Sequence, residues 1–151
     1  MHLDLLKRQH ERRYFDQWHS LYIEAPKGKI QQTESPDFII HLNRKSAVGI
    51  EITRLVDEDV FWINDPESEV FVKSNGFNMN NLQRLIAKKD EKHSLYQSKK
   101  FRALWLLIVL DDQSFGEKFH LPKSILNLDF ETRFDKLFLL HAAKNKLYEL
   151  K

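Results

Sequence analysis

The stretch Ala103-Leu104-Trp105-Leu106-Leu107-Ile108-Val109-Leu110 is apolar without interruption and stops at Asp111-Asp112. A strand with one wet face alternates apolar and polar residues, whereas a strand covered on both faces reads as a continuous apolar run. The run therefore predicts a central strand. Such a strand needs sheet neighbours and a layer of further structure over each face.

The rest of the chain supplies those partners. Residues 3–23 read as a first helix, because Leu6, His10, Tyr14, Trp18 and Leu21 recur at near-helical spacing until Pro26 and Gly28. Residues 29–33 read as a short strand. Residues 37–42 and 47–53 are rich in Ile and Val and flank the polar turn Asn43-Arg44-Lys45-Ser46, which is a hairpin pattern. Residues 78–97 read as a second helix, with Asn78 or Asn80 as its N-cap. Between hairpin and helix, residues 55–77 read as an insertion of helix or strand and loop, carrying Asp57-Glu58-Asp59, Phe61, Trp62, Asp65 and Asn75-Gly76. Beyond the central strand, residues 112–121 read as loop, running at Leu121 into a short helix over 121–128 with Pro122 in its first turn. Residues 136–143 and 146–150 read as two strands around Lys144-Asn145, the last a hairpin edge. The expected whole is one α/β domain over residues 1–151, a mixed sheet flanked by helices.

Asp37 and Glu51 stand out in the hairpin. Side chains alternate along a strand, so Asp37, Ile39 and His41 share one face while Phe38, Ile40 and Leu42 share the other. On the next strand Glu51 and Thr53 share a face opposite Ile50 and Ile52. An acid in so apolar a strand is costly without a partner or a metal. Two such acids on neighbouring strands can share a hard divalent cation such as Mg²⁺, which takes oxygen ligands and keeps several waters. On the second helix Leu82, Ile86, Lys89, His93 and Tyr96 fall on one face, which begins apolar and ends with chemistry-bearing groups.

Pro36-Asp37, followed by a hydrophobic strand carrying Glu51-Ile52-Thr53, resembles the signature of the PD-(D/E)xK nuclease-like superfamily, also called restriction endonuclease-like. The resemblance covers roughly residues 34–110 and implies an α-β-β-β-α-β core and a metal-dependent phosphodiesterase. It implies Asp37 and Glu51 as ligands of Mg²⁺ or Mn²⁺, with the carbonyl of Ile52 as a further ligand. It implies that Thr53 stands where the motif usually has Lys, so that the positive charge comes from elsewhere or the site is catalytically weak or dead. Lys92 and Tyr96 resemble the Lys-xxx-Tyr pattern that some branches carry on the corresponding helix. A lysine that has migrated from strand to helix is also known there: Lys89 fits by face and Lys92 by motif, and the sequence leaves both open. Superfamily members often add an acid from the first helix, which makes Glu11 a supporting candidate beside its plainer reading as an exposed acid paired with Lys or Arg. Glu34, just before the Pro-Asp corner, is either a second supporting acid or a turn residue.

Composition bounds the partners. No apolar stretch approaches the roughly 20 residues of a membrane span. The N-terminus lacks the basic-then-apolar order of a signal peptide, and the absence of cysteine removes disulfides and thiolate zinc sites, which together lead to the expectation of a cytoplasmic protein without a membrane partner. The net charge of +2 decides nothing, but its distribution is uneven. Lys88, Lys89, Lys92, Lys99, Lys100 and Arg102 crowd the second helix and its exit, while Arg44, Lys45 and Arg54 flank the site strands. Arg54 and Lys88 are thus candidate contacts to the phosphates of a nucleic acid, which the resemblance implies is DNA rather than RNA, although charge runs are commonly solvated faces. Scattered histidines and four glycines provide neither close metal spacing nor a phosphate-cradling loop. Nucleases of this size often pair as homodimers to address both strands. Two rival readings remain: an inactive nuclease-like module that binds nucleic acid or protein, and an α/β interaction protein whose acids form ion pairs.

Overall fold

The computed structural model describes residues 2–55, 60–62, 71–73, 77, 79–97, 100–110, 112 and 115–151. Helix α1 (His2–Leu21) is followed by strands β1 (Lys29–Gln32), β2 (Phe38–His41) and β3 (Ala47–Leu55). Next come the short strands β4 (Val60–Trp62) and β5 (Phe71–Lys73), helices α2 (Met79–Glu91) and α3 (His93–Gln97), and strand β6 (Ala103–Leu110). Strands β7 (Lys136–His141) and β8 (Lys146–Glu149) complete the order. Six strands form one mixed sheet in the order β1-β2-β3-β6-β7-β8, and β4 and β5 form a separate two-stranded ribbon. The β1–β2, β2–β3 and β7–β8 pairs are antiparallel, while β6 runs parallel to both β3 and β7.

The apolar run is β6, and it lies inside the sheet with residues 104–110 all buried. Its side chains divide by parity between two cores. Trp105, Leu107 and Val109 join Tyr14, Phe15 and Trp18 of α1, together with Phe38, Ile40, Ile50 and Ile52. Leu104, Leu106, Ile108 and Leu110 join Leu82, Ile86 and Tyr96 of α2 and α3, together with Leu137, Leu139 and, from the segment between β6 and β7, Phe115, Ile125 and Phe134. Each face is dry for a different reason: a helix before the sheet covers one, and the β3-to-β6 crossover covers most of the other.

Several boundaries differ from those predicted. The buried stripe of α1 is Glu11, Tyr14, Phe15 and Trp18, while Leu6 is exposed. The helix is turned to place Phe15 against Phe38, their rings stacked at 4.1 Å, which leaves Leu6 outside the core. The single helix over 78–97 is two helices with a turn at Lys92, where the Lys92 N–H reaches back to the Lys89 carbonyl (3.1 Å) and the Leu95 N–H to that of Lys92 (3.0 Å). Asn80 lies inside α2 rather than capping it, and Asn78 is outside the described residues. Pro122 precedes a 3-10 helix, Lys123–Asn127, instead of sitting in its first turn. The seventh strand stops at His141, and a 3-10 turn, Ala142–Lys144, leads into Asn145 in the left-handed region (φ 54°), where Asn is tolerated. The insertion contributes β4 and β5; Asp57, Glu58, Asp59, Asp65, Asn75 and Gly76 lie outside the described residues. Among the described residues no helix is long and apolar enough to cross a membrane.

Candidate functional site

The hairpin places the two acids. In the β2–β3 register Phe38 pairs with Ile50, so Asp37, one residue before Phe38, falls opposite Glu51, one residue after Ile50. Asp37 sits at the bend just before β2, and one of its oxygens, Oδ2, accepts the Ile52 N–H at 2.7 Å. The corner leading to it is packed down on β3: Ser35-Pro36 is a cis peptide, and a side chain at Gly49 would meet the Pro36 ring 3.0 Å from its Cβ. The hydroxyl of Thr33 donates to the Pro36 carbonyl.

The crossover face supplies the next layer. Glu51, Thr53 and Leu55 alternate toward α2 and α3 and are buried there. The Tyr96 hydroxyl, on α3, donates to Glu51 Oε2 in the interior. From the opposite side α1 brings Glu11 against Asp37. A hollow of about 800 Å³ opens over these groups, lined by Glu11, Glu34, Asp37, Glu51, Ile52, Thr53, Arg54, Lys89, Lys92 and Tyr96. All the residues singled out from the sequence for this site are brought together there except Lys88, which is exposed and not part of the lining.

The structure distinguishes among them. Glu11 is 9% exposed, so the reading of a merely solvated acid is corrected: it does pair with Lys7 (3.8 Å), but it faces the site. Glu34 is exposed at the rim. Lys89 is half-buried and near enough to Asp37 to pull its pKa down, whereas Lys92 is exposed at the helix break. His41, on the same face of its strand as Asp37 by alternation, pairs with Gln31 (2.8 Å) and is not part of the lining, and His93 packs edge-on against Phe134. Sequence reading missed Lys7, His10 and Tyr14 as lining residues. The signal was present, since Lys7, Glu11 and Tyr14 share one face of α1 by 4-3 spacing.

The electrostatics show a deficit of positive charge. Burial, followed by the hydrogen bond and repulsion from Glu51, raises the Asp37 carboxyl to about 8, with only partial relief from the Ile52 N–H and Lys89. Burial and the neighbouring Asp37 raise the Glu11 carboxyl to about 7 despite Lys7. The protein alone therefore holds protons where ionised carboxylates need a cation. Among the described residues no group of three or more His, Cys, Asp or Glu side chains forms a ready metal cage. The donor set does fit Mg²⁺ or Mn²⁺, because a hard ion of this kind is bound through one or two carboxylates and fills its remaining positions with water and substrate oxygens. Comparison of the chain with protein-family models, with curated proteins and with solved structures returns no match.

Proposed function

We propose that the chain is a metal-dependent nuclease of the PD-(D/E)xK, restriction endonuclease-like kind, hydrolysing phosphodiester bonds of DNA in preference to RNA. The observation that carries this reading is the pairing of Asp37 with Glu51 across the hairpin in a basic-rimmed hollow. The element order and the parallel β3–β6 pair agree with the expected core. Asp37 and Glu51 would hold Mg²⁺ or Mn²⁺, with the Ile52 carbonyl as a further oxygen donor. Such an ion, when bound, supplies the Lewis acidity that activates water and neutralises charge on phosphate.

The chain's own residues do the rest. Tyr96 fixes the Glu51 carboxylate through its hydroxyl, and the Ile52 N–H fixes that of Asp37. Lys89 takes the place of the missing strand lysine: it orients the attacking water or balances charge on the phosphate. Thr53 holds a water beside Glu51. Glu11 supports Asp37 from α1, and Arg54 at the rim contacts the strand's backbone.

Thr53 favours a second reading, a nuclease-like module that binds nucleic acid without cutting it. The deciding experiment is cleavage of labelled single- and double-stranded DNA and RNA with Mg²⁺ or Mn²⁺, wild type against Asp37→Ala/Glu51→Ala. Cutting by wild type alone supports the enzyme. A folded wild type that binds these strands and cuts none supports the module.

A further inference from the structure

A second hollow, of about 260 Å³, adjoins the first, and Tyr96 lines both. His93, Arg102, Arg133 and Asp135 contribute its polar groups. Backbone bonds anchor the two arginines: the Arg102 N–H donates to the Ala47 carbonyl (2.9 Å), and the Arg133 N–H donates to Asp90 Oδ1 (3.1 Å). Among the described residues neither guanidinium makes a hydrogen bond or an ion pair. Asp135 commits its Oδ2 to the Leu104 N–H at 2.8 Å. Two cations therefore face one acid whose capacity is partly used.

His93 provides the independent observation. It is only 5% exposed, and its Nδ1 has no hydrogen-bond partner. A buried polar atom left unpaired is unfavourable and calls for a ligand or water. Forked guanidiniums match phosphate oxygens bidentately, which suits Arg better than Lys to such a clamp. The position fits as well. Leu104, on the wall of the second hollow, lies two residues along β6 from Leu106, the partner of Glu51. Two residues of strand span roughly 7 Å, comparable to one step of an extended nucleic-acid backbone.

We propose that this hollow is a phosphate subsite, in which Arg102 and Arg133 hold a phosphate group of a nucleic-acid strand whose neighbouring phosphodiester lies over Asp37 and Glu51. The identity of the ligand rests on the nuclease reading; the anion site itself does not. A terminal phosphate monoester and an internal diester offer the same oxygens, so the experiment separates them.

The experiment is fluorescence anisotropy of the whole chain with short labelled single strands carrying a 5′-phosphate, a 3′-phosphate or neither, in chelator so that nothing is cut. Arg102→Gln and Arg133→Gln should each weaken binding about tenfold, the gain expected of one hydrogen bond to a charged group. Each should reduce the salt slope by about one. Arg→Lys at the same positions should recover part of the loss, and Lys27→Gln, an exposed lysine ahead of β1, should bind as wild type. Tighter binding of one end-phosphorylated strand supports a terminal occupant, and equal Arg-dependent binding of all three supports an internal one. Both Gln variants binding within about twofold of wild type, against the tenfold expected, overturns the subsite. So does a folded wild type that binds none of the strands, or an equal loss in Lys27→Gln. Arg-dependent binding without cleavage in Mg²⁺ leaves the subsite standing and overturns the enzyme. Cleavage with Arg-independent binding does the reverse.

Discussion

Asp37 and Glu51 face each other across the β2–β3 hairpin, and each is held by a different donor, the Ile52 N–H for one and the Tyr96 hydroxyl for the other. The carboxylates are thus oriented before any cation arrives. Asp37→Asn and Glu51→Gln should each lower divalent-dependent cleavage by at least about 100-fold, as expected when a group that holds the reaction's electrostatic partner is removed. If the site holds Mg²⁺ or Mn²⁺ as proposed, the cation should raise the Tm of the wild type and of neither variant, since a cation that binds only the folded state stabilises it. Thermal melts with and without cation check this independently of substrate.

The same pair sets a pH dependence. The Asp37 carboxyl rises from 3.8 to about 8 on folding, and that of Glu11 from 4.5 to about 7. In those windows the folded state holds more protons than the unfolded, so stability falls as pH rises. The contribution is fully present below about pH 4 and is lost by about pH 8. Without metal, Asp37→Asn should gain on the order of 1–2 kcal/mol over wild type at pH 8.5 and little at pH 4. Denaturant melts across pH in chelator test it, and a wild-type curve that rises between pH 5 and 8 refutes the assignment.

Lys89 and Lys92 can be separated by mutation. Lys89→Ala should reduce kcat by about 100-fold, the scale of one lost electrostatic contact to the reacting centre. Lys92→Ala, an exposed group at the helix break, should change it less than about threefold, in keeping with a solvated charge. Thr53→Lys in the Lys89→Ala background should restore part of the loss, because residue 53 points to the same side of β3 as Glu51. Single-turnover cleavage rates of the four proteins decide.

Tyr96→Phe removes only the hydroxyl that donates to Glu51. Leaving a buried carboxylate oxygen unpaired should cost about 1–3 kcal/mol in the metal-free protein. The loss should shrink when Mg²⁺ is present if, as proposed, the ion binds the same carboxylate. Equal losses with and without cation would place Tyr96 outside the site's chemistry.

Phe15→Ala tests how α1 delivers Glu11. Phe15 is fully buried and stacked on Phe38, so its removal should cost about 3–5 kcal/mol. Cation affinity should fall alongside stability, since Phe15 and Glu11 lie on the same helix face four residues apart. Isothermal titration at a temperature where the variant is still folded checks the second effect.

Much of the layout was legible in local pattern. The uninterrupted run 103–110 predicted a covered strand, and the alternation within 37–42 and within 47–53 predicted which residues of each strand share a face with its acid, because both signals are properties of neighbouring residues; that the two acids lie opposite one another came from the register. The break at Lys92 was not legible, since the periodicity of Leu82, Ile86, Lys89, His93 and Tyr96 runs through it. What only the tertiary structure decided concerns residues far apart in the chain. Glu11 is buried where α1 packs Phe15 on Phe38, Lys89 is half-buried and Lys92 exposed on the same hollow as Asp37, and Arg102 and Arg133 line one hollow with His93. Backbone periodicity determines how a side chain points from its own element. Which elements close over one another depends on core packing between distant segments, and that packing sets a pair of strand acids at the base of an open hollow beside a helix acid and three lysines.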